Sequence, residues 1–480
     1  MKRVCFCIIV ITSISAGASE SDACAAIKDI SLPDLTVEKV ESLNEPVAHC
    51  KLTGKLGREI GFSVWLPVGW NGKFTMGGGG GFVGSIQNQA LALGALQRGY
   101  ATAGTDTGHQ ANGIDGSWAL HNLERIVNYG HVAIHRVSET AKHITESHYG
   151  KWPERSYFAG CSNGGRQAMA FSQRYPNDFD GIIAGAPAFD FGGVAAAFVN
   201  VTQRMYPNMG ELSSPLLTPE DRSLLANAVL AQCDALDGLK DGIMNDPREC
   251  DFDPRSLDLP PEKIATIRAV YNGPQNASGQ VFHGWPFGGE DEDGGWGAWL
   301  AGAGQLADGT PPSAAFGFGV DLMRYMVYHD PDWSYEGFIF EGYRERVAAV
   351  ESVLSAKDPN LEEFRNAGGK LLFYHGWSDA ALSALATIEY VDAVYGIDPS
   401  AREDVRLFLK PGVLHCAGGP GPWMVDYLEV IDRWVETDSA PNELVAGFAD
   451  ESGARPLCAY PSKVHYIGGN DRTPSSFECR

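Results

Sequence analysis

Short apolar runs alternate with longer amphipathic segments along much of the chain, which is the pattern of strands connected by helices. In the first part of the chain, strands are predicted at residues 62–68, 73–76, 100–104, 157–159 and 181–186. A long helix is predicted at residues 123–148, where apolar side chains recur at helical spacing. Apolar strands that alternate with helices favour an α/β fold with a largely parallel sheet.

The alternation stops near residue 187. Residues 188–365 are rich in glycine, proline, aspartate and aromatic residues and show no regular succession of strand and helix. Because this stretch is too long for a loop, we predict an inserted domain that acts as a lid. The catalytic domain would then comprise residues 19–187 and 366–480.

Strand and helix alternate again after the predicted insert. Strands are expected at residues 370–375 and 405–409, and helices at residues 382–395 and 424–436. The insert therefore interrupts one sheet and does not separate two independent ones.

Composition excludes some classes of partner. The chain has 480 residues, 44% of them apolar, and a formal net charge of −23 at pH 7. Such a length can bury one large core or two domains. The negative charge argues against binding to nucleic acid or to an anionic membrane surface, and we expect neither as a partner.

Residues 1–18 have the features of a signal peptide. Lys2 and Arg3 precede an apolar run at residues 4–14, and Ala16 and Ala18 fit a cleavage site. The run is too short to span a bilayer, so we predict a secreted or periplasmic protein. Cleavage would leave eight cysteines, an even number that suggests a disulfide framework in an exported chain.

The candidate nucleophile lies in residues 155–169, which read RSYFAGCSNGGRQAM. Here a predicted strand runs into Gly160-Cys161-Ser162-Asn163-Gly164, and a helix follows. Gly-x-Ser-x-Gly between a strand and a helix is the nucleophile elbow, a sharp turn whose small neighbours let it expose the serine. The serine is reactive only if a histidine takes its proton and a carboxylate orients that histidine.

A carboxylate and a histidine follow two later predicted strands. Asp379 follows KLLFY, and His415 follows VRLFLK. With Ser162 they give the chain order Ser, Asp, His of α/β-hydrolases, in which strand ends carry the site. In this interpretation His415 is the base, and Asp379 holds its ring and stabilises the imidazolium.

Three alternatives remain open at this point. His375, four residues before Asp379, could be the base, although a packed histidine at a strand end is the simpler explanation. Asp106 could be the acid, with a different chain order. His415 could have only a structural role.

Two cysteines flank the candidate nucleophile and base. Cys161 precedes Ser162, and Cys416 follows His415. If the serine and the histidine are within hydrogen-bond reach, the Cα atoms of the cysteines fall within the roughly 4.4–6.8 Å that a disulfide needs. We therefore predict a Cys161–Cys416 disulfide that links nucleophile and base across the insert.

These motifs resemble those of the tannase and feruloyl esterase family of secreted serine esterases. The segments that carry the resemblance are GCSNGGR, HGWSD, PGVLHCAGGPG, GRQAM, YPNDFDGIIAGAPA and GGGGF. The resemblance covers nearly all of the chain after the signal peptide. It implies an α/β-hydrolase domain interrupted by a lid domain, and the same disulfide between the cysteines beside serine and histidine.

The resemblance also implies the reaction. Family members cleave phenolic esters, including feruloyl and galloyl esters, and one relative cleaves a terephthalate monoester. The expected substrate is a small aromatic ester, either free or attached to a plant polysaccharide or polyphenol. A peptidase or amidase, and a binding protein without activity, are the alternatives from other classes.

An oxyanion hole is predicted from the glycine run at residues 77–81. Acyl transfer needs two convergent backbone N–H groups, one of them from the residue after the nucleophile, here Asn163. We predict that Gly80 supplies the second, with Gly81 as the next choice. A flexible surface loop is the alternative for this run.

Residues 233–243, CDALDGLKDGI, place three carboxylates within eight residues. Hard oxygen ligands at this density suit Ca²⁺, although the spacing is not that of an EF-hand. The resemblance implies a structural calcium ion whose ligands are Asp234, Asp237, Asp241 and the carbonyl oxygens of Leu239 and Ile243. A solvated acidic turn is the alternative.

The other cysteines are assigned after this loop. We predict that Cys233 and Cys250 close it, which leaves Cys24–Cys50 and Cys458–Cys479 as pairs that are local in sequence.

The predicted insert should supply the wall that recognises the acid part of the ester. Its aromatic candidates are Trp285, Phe287, Trp296, Trp299, Phe316, Phe318, Tyr325 and Tyr328. Aromatic acyl groups stack on such side chains. Arg324 is a candidate to meet a carboxylate or phenolate.

Overall fold

In the computed structural model, which describes residues 24–304 and 310–480, a nine-stranded mixed sheet forms the centre of the molecule. The strands are β1 (Leu35–Leu43), β2 (His49–Leu56), β3 (Ile60–Pro67), β4 (Lys73–Gly77), β5 (Ala101–Thr105), β6 (Arg155–Cys161), β7 (Gly181–Gly185), β8 (Gln275–Asn276), β9 (Gly279–Gln280), β10 (Lys370–Gly376), β11 (Val405–Lys410), β12 (Glu443–Gly447), β13 (Ala454–Cys458), β14 (Val464–Tyr466) and β15 (Phe477–Cys479). The predicted signal peptide, residues 1–18, lies outside the described residues.

Helices cover both faces of this sheet. The α-helices of the described residues, some of which lie away from the sheet, are α1 (Leu123–Val127), α2 (Ala133–Tyr149), α3 (Asn163–Arg174), α4 (Phe191–Met205), α5 (Pro219–Cys233), α6 (Pro261–Asn272), α7 (Ala314–Asp321), α8 (Tyr343–Leu354), α9 (Glu362–Asn366), α10 (Ala384–Ile397) and α11 (Tyr427–Thr437). Successive residues of β6 point to opposite faces: Phe158 packs in the core that contains Ile134 of α2, and Tyr157 packs in the core that contains Ile431 of α11.

The sheet order is β1-β2-β3-β5-β4-β6-β7-β10-β11. In this order, neighbouring strands are antiparallel from β1 to β5, and they are parallel from β5 to β11. Strands β6, β7 and β10 are almost entirely buried, as expected for parallel strands with helices on both sides. The prediction of an α/β-hydrolase fold is confirmed.

Two features differ from the sequence prediction. Strands β1 and β2 form an N-terminal hairpin that the polar composition of this region did not suggest, and β1 at the sheet edge is largely exposed. The helix predicted at 123–148 is interrupted by a π-helical turn at Asn128–Val132. Leu123, the first residue of the predicted helix, is exposed.

The chain leaves the main sheet after β7 and returns to it at β10. These two strands are direct neighbours, with Ile182 opposite Leu371. Between them lie helices α4 to α9, and buried side chains of α4, α7 and α8 share a core with the loops above the sheet. Phe191 and Val320 from this segment pack in the same cluster as Phe82 and Tyr129. The site therefore lies where this segment meets the ends of the parallel strands.

Four disulfides are present in the described residues. They join Cys24 to Cys50, Cys161 to Cys416, Cys233 to Cys250 and Cys458 to Cys479, which are the predicted pairs. Across the described ranges, no helix has the length and apolar character needed to cross a membrane.

Candidate active site

Ser162 stands at a sharp turn between β6 and α3. Its backbone has φ 64° and ψ −125°, a conformation that an ordinary residue rarely adopts. A Cβ at Gly160 would collide with the backbone of Gly164, and a Cβ at Gly164 would collide with the side chain of Gln89. The glycines of the elbow are thus required by close packing, and the turn projects Ser162 into a cavity above the sheet.

The structure brings Asp379 and His415 together. Nδ1 of His415 lies 2.8 Å from Oδ2 of Asp379. The other ring nitrogen, Nε2, is buried and has no hydrogen-bond partner among the described residues. The nitrogen that would accept a proton from a nucleophile is therefore not engaged elsewhere.

The carboxylate of Asp379 is buried and fully hydrogen-bonded. Its Oδ1 accepts from the backbone N–H groups of Ala381 and Leu382, at 2.8 and 2.9 Å. Burial alone would raise the pKa of Asp379, but His415 and His375 outweigh burial and hold this pKa well below its usual value. The group is therefore a carboxylate at any pH at which the protein would work.

His375, the alternative base, is placed to support Asp379. Its Nε2 lies 3.2 Å from Oδ2 of Asp379 and 3.0 Å from the carbonyl oxygen of Leu382, and Nδ1 lies 2.9 Å from the Thr387 hydroxyl. The ring is fully buried, with both nitrogens engaged. It has no free nitrogen with which to serve Ser162.

Asp106, the alternative acid, belongs to a turn after β5. Its Oδ1 accepts from the N–H groups of Gly61 and Gly108, at 2.9 and 2.8 Å. Burial raises the pKa of Asp106 to about 6, although these hydrogen bonds oppose the rise. No histidine is among its hydrogen-bond partners in the described residues, so the contacts of Asp106 are those of a structural residue.

The disulfide Cys161–Cys416 joins the two halves of the site. The Cα atoms of the cysteines are 6.0 Å apart, while 255 positions separate them in the sequence. Cys416 has a positive φ of 66°, so the loop turns sharply directly after His415. Trp299 packs edge-on against the His415 ring, with the ring centroids 4.8 Å apart.

The glycine run places one free backbone N–H beside Ser162. The N–H of Gly80 donates to Oε1 of Gln87 at 2.8 Å, and that of Gly79 donates to Gln167 at 3.1 Å. The N–H of Gly81 donates to no acceptor among the described residues, and Gly81 lines the cavity together with Ser162. The predicted donor Gly80 already has an acceptor in Gln87, so of the two glycines that the sequence offered the geometry favours Gly81.

Tyr129 connects the two residues that are candidates for the oxyanion hole. Its hydroxyl lies 2.9 Å from the carbonyl oxygen of Gly81 and 3.0 Å from Oδ1 of Asn163. The side-chain amide of Asn163 in turn donates to the carbonyl of Gly79 at 2.9 Å. Asn163 is the first residue of α3, so its backbone N–H has no partner within the helix. Tyr129 thus links the backbone of Gly81 to the side chain of Asn163.

A buried arginine lies beneath this network. Arg166 donates from Nε to Oδ1 of Asn163 at 2.8 Å, and its other donors bind the carbonyls of Tyr129, Gly130 and Leu354. No carboxylate among the described residues pairs with it, and burial lowers its pKa. The guanidinium therefore places positive charge close to the Asn163 end of the site.

A cavity of about 70 Å³ opens beside Ser162. It is lined by Gly81, Phe82, Tyr129, Ser162, Asn163, Ala188, Phe191, Val194, Ala195, Phe198, Trp299, Phe318, Leu322, Ala381 and Leu382. Tyr129, Trp299 and Leu322 each lie in a π-helical turn, at Asn128–Val132, Gly297–Ala301 and Leu322–Val327. Such turns often shape functional sites.

Two of the predicted aromatic wall residues, Trp299 and Phe318, line this cavity. The other six described residues of that set, and Arg324, are not among its lining residues. Nε of Arg324 donates to the carbonyl of Trp333 at 3.1 Å, so it has a structural partner.

The acidic loop after α5 is a network of tight turns. Asp237 accepts from the N–H groups of Leu239 and Asn245, at 3.0 and 2.9 Å, and Asp241 pairs with Arg455. Burial raises the pKa of Asp237, helped by the charges of Asp241 and Asp234. The side-chain oxygen and nitrogen of Asn245 are buried and have no hydrogen-bond partner in the part of the chain that the structure describes.

These are hard oxygen donors of the kind that calcium takes. Within the described ranges, however, no group of three or more His, Cys, Asp or Glu side chains has the arrangement of a metal site. The calcium ion stays a prediction.

The sheet, the serine turn and the strand-end aspartate and histidine define this protein as an α/β-hydrolase. The chain belongs to the tannase and feruloyl esterase family, whose model matches residues 45–480. The membership expected from the sequence motifs is thus confirmed.

Similar proteins have names that agree with this assignment. The chain is 32% identical to a mono(2-hydroxyethyl) terephthalate hydrolase of Piscinibacter sakaiensis, over 90% of this chain and 84% of that protein. It is 31% identical to a probable feruloyl esterase of Arthroderma benhamiae, over 94% of this chain and 87% of that protein. The crystal structure of feruloyl esterase B from Aspergillus oryzae superposes with a TM-score of 0.85 at 25% identity, covering 95% of this chain and 99% of that one.

Proposed function

We propose that this protein is a serine esterase that hydrolyses esters of aromatic carboxylic acids through an acyl-enzyme on Ser162. The observation that carries the proposal is the hydrogen-bonded His415–Asp379 pair, linked to the serine turn by the Cys161–Cys416 disulfide. The names of two relatives refer to a terephthalate monoester and to feruloyl esters, and both are esters of aromatic carboxylic acids.

The reaction follows from the roles of these groups. The Ser162 hydroxyl attacks the ester carbonyl and its proton passes to Nε2 of His415, which then protonates the departing alcohol. Water attacks the acyl-enzyme with His415 again as the base, and the acid is released. Asp379 keeps the ring oriented and stabilises the imidazolium in both steps.

The developing oxyanion would accept hydrogen bonds from the backbone N–H groups of Asn163 and Gly81. Neither N–H group donates a hydrogen bond to an acceptor among the described residues. Donors fixed before the reaction stabilise the transition state without reorganisation, and the loss of one such donor typically costs about 10²–10³ in kcat.

The proposal is tested by turnover of methyl ferulate, methyl gallate and a terephthalate monoester by the wild type and Ser162→Ala. We expect hydrolysis of at least one ester by the wild type and a loss of at least about 10⁴-fold in the variant. Ser172→Ala, which removes a buried serine hydroxyl within α3, is the matched control and should keep its activity. If no ester is turned over by the folded wild type, the proposal is wrong.

We also propose a structural calcium ion at the acidic loop, with Asp234, Asp237 and Asp241 and the carbonyls of Leu239 and Ile243 as ligands. Three carboxylates within eight residues of sequence, and the buried side chain of Asn245 with no partner among the described residues, support it. Metal analysis of the dialysed protein should find one calcium per chain, and none in Asp237→Ala. Asp253→Ala, which removes an exposed aspartate paired with Arg255, is the control. A wild type without calcium would contradict the proposal.

We further propose that the protein is exported and acts outside the cytoplasm on esters that are free or attached to plant polymers. Residues 1–18 and the disulfides support export. The N-terminal sequence of protein recovered from the periplasm or medium should begin after residue 18. Retention of residues 1–18 on cytoplasmic protein would contradict it.

A further inference from the structure

A glycine-rich loop of the inserted segment, residues 288–296, lies against the residue that precedes Asp379. A Cβ at Gly288 would come within 2.7 Å of Oγ of Ser378, and a Cβ at Gly289 would come within 2.5 Å of the Ser378 carbonyl oxygen. Both glycines have a positive φ, of 112° and 81°. The 288–296 loop therefore meets Ser378 with its backbone, at a distance that leaves no room for a side chain.

Ser378 connects the loops that carry Asp379 and His415. It directly precedes Asp379 in the chain. Its backbone N–H donates to the carbonyl oxygen of Val413 at 3.0 Å, two residues before His415. Ser378 is also buried. A shift of Ser378 would therefore move both loops with respect to Ser162.

The 288–296 loop also leads to the wall beside His415. The backbone N–H of Trp296 donates to the carbonyl oxygen of Gly289 at 2.8 Å, and Trp296 is fully buried. Three residues later, Trp299 packs edge-on against the His415 ring. One loop therefore reaches the surroundings of the base as well as those of the carboxylate that orients it.

Glu290 anchors this loop from inside the protein. Its Oε1 accepts from the backbone N–H of Gly288 and from the hydroxyl of Tyr271 on α6, both at 2.8 Å. Glu290 is buried, and no Lys, Arg or His of the described residues forms an ion pair with it. Burial raises the pKa of Glu290 to about 7, although the hydrogen bonds from Gly288 and Tyr271 oppose the rise. The carboxyl group therefore serves as a hydrogen-bond acceptor and not as one half of an ion pair.

We propose that Glu290 is a positioning residue for the esterase reaction, because it ties the loop that contacts Ser378 to α6. This inference rests on the proposed function. Without the acceptor, the Gly288 N–H and the Tyr271 hydroxyl lose their partner inside the protein, and the loop moves to find another. Displacement of Ser378 then misaligns the neighbouring carboxylate and base. A misplacement of about 1 Å caused by a change away from the chemistry can cost about 100-fold in rate.

The test compares kcat and KM of the wild type, Glu290→Leu and Glu290→Gln at a temperature at which all three are folded. Leucine has no acceptor, so kcat should fall at least about tenfold. KM should change less than about threefold, since residues 288–296 do not line the cavity. Glutamine has an oxygen that can accept both hydrogen bonds, and kcat should stay within about threefold of the wild type.

Glu292→Leu is the matched control. It removes a carboxylate of the same loop that has no hydrogen-bond partner on another element of the described residues, and it should keep kcat. An unchanged kcat in folded Glu290→Leu would overturn the inference, and so would equal losses in Glu290→Gln and Glu290→Leu. If the folded wild type hydrolysed no ester, the proposed function would fail instead.

A second pair of variants reaches the same contact without a change at Glu290. Gly289→Ala places a methyl group against the carbonyl oxygen of Ser378. Gly294→Ala, at a similar φ of 86°, places it 3.7 Å from Leu414, an ordinary contact. Both substitutions strain the backbone alike, but kcat should fall at least about tenfold only in Gly289→Ala. Equal kcat values would overturn the inference even if Glu290→Leu did not fold.

Discussion

At the scale of single residues, Asp379 shows how closely the site is specified. Its Oδ1 accepts two backbone N–H groups, and its Oδ2 lies within hydrogen-bond distance of His415 and His375. When Asp379 is ionised, both of its oxygens can accept hydrogen bonds from these N–H groups. The same contacts that hold the base in place therefore also keep the carboxylate charged.

Asp379→Asn should retain the shape of the side chain and lose most of the activity. An amide nitrogen cannot accept a hydrogen bond from Nδ1 of His415, so the ring would take the wrong tautomer, and kcat should fall by about 10⁴-fold. Asp106→Asn changes another buried carboxylate and should lower kcat less than about tenfold. If steady-state kinetics showed comparable losses of kcat in the two variants, Asp106 would again be a candidate for the catalytic acid.

Tyr129→Phe should lower kcat by about tenfold to 100-fold and leave KM nearly unchanged. The variant loses the hydroxyl that fixes Gly81 and Asn163, and oxyanion donors act on the transition state more than on the bound substrate. Tyr390→Phe removes a buried hydroxyl that binds Gln173 and the Asp358 carbonyl, away from Ser162. Kinetic constants equal in Tyr129→Phe and Tyr390→Phe would contradict a positioning role for Tyr129.

At the scale of elements, the parallel strands and the serine turn follow from local sequence, and several other features do not. Apolar runs identify β6, β7, β10 and β11, because strands buried on both faces have little choice of composition. The hairpin of β1 and β2 was missed, since a half-exposed edge strand has a mixed composition. Which glycine amide is free depends on the side chain of Gln87, a contact that no local pattern encodes.

Strand β11 ends on a buried lysine that supports the histidine loop. Nζ of Lys410 donates to the carbonyl of Cys416 at 3.0 Å and lies 4.2 Å from the centre of the Tyr374 ring. Burial lowers the pKa of Lys410 to about 7, although the charge of Asp379 opposes the shift. The ordinary pKa of lysine in an unfolded chain is about 10.4.

Lys410→Met should change stability in a pH-dependent way. Between pH 7 and about 10.4 the unfolded chain binds the proton and the folded chain does not, so the free energy of unfolding of the wild type rises with pH over this range. Below pH 7 the folded protein buries a charged ammonium, and the methionine variant avoids that cost. In urea unfolding, the free energy of unfolding of Lys410→Met minus that of the wild type should therefore be larger at pH 6 than at pH 9.

Lys39→Met, at an exposed lysine of β1, is the control and should show the same difference from the wild type at both pH values. A Lys410→Met difference that does not change with pH would contradict a buried, uncharged lysine above pH 7.

At the scale of the whole molecule, one covalent link joins parts of the chain that are far apart in sequence. The sequence positions of Cys161 and Cys416 were enough to predict this disulfide. Each cysteine is adjacent to the serine or the histidine, and the reaction requires that serine and histidine to lie close together. The shape of the cavity could not be predicted in this way. Its wall is assembled from α4, α7 and three π-helical turns, and their relative placement depends on tertiary packing.

The double variant Cys161→Ala/Cys416→Ala should lose stability and activity together. In the chain-entropy model a link across 255 positions contributes up to roughly 5 kcal/mol to the free energy of unfolding, against about 3 kcal/mol for the 21-residue Cys458–Cys479 link. At a temperature where both variants are folded, kcat should fall in the first and not in Cys458→Ala/Cys479→Ala. Equal kcat in the two would contradict a role of the link in positioning His415.

The most direct test of the central claim is to locate the acyl group on the enzyme. Rapid quenching of the wild type with methyl cinnamate, followed by peptide mass spectrometry, should find the cinnamoyl mass on the peptide that contains Ser162. Ser162→Ala should show no adduct and no turnover. A cinnamoyl group on a different residue, or continued turnover by Ser162→Ala, would contradict the account.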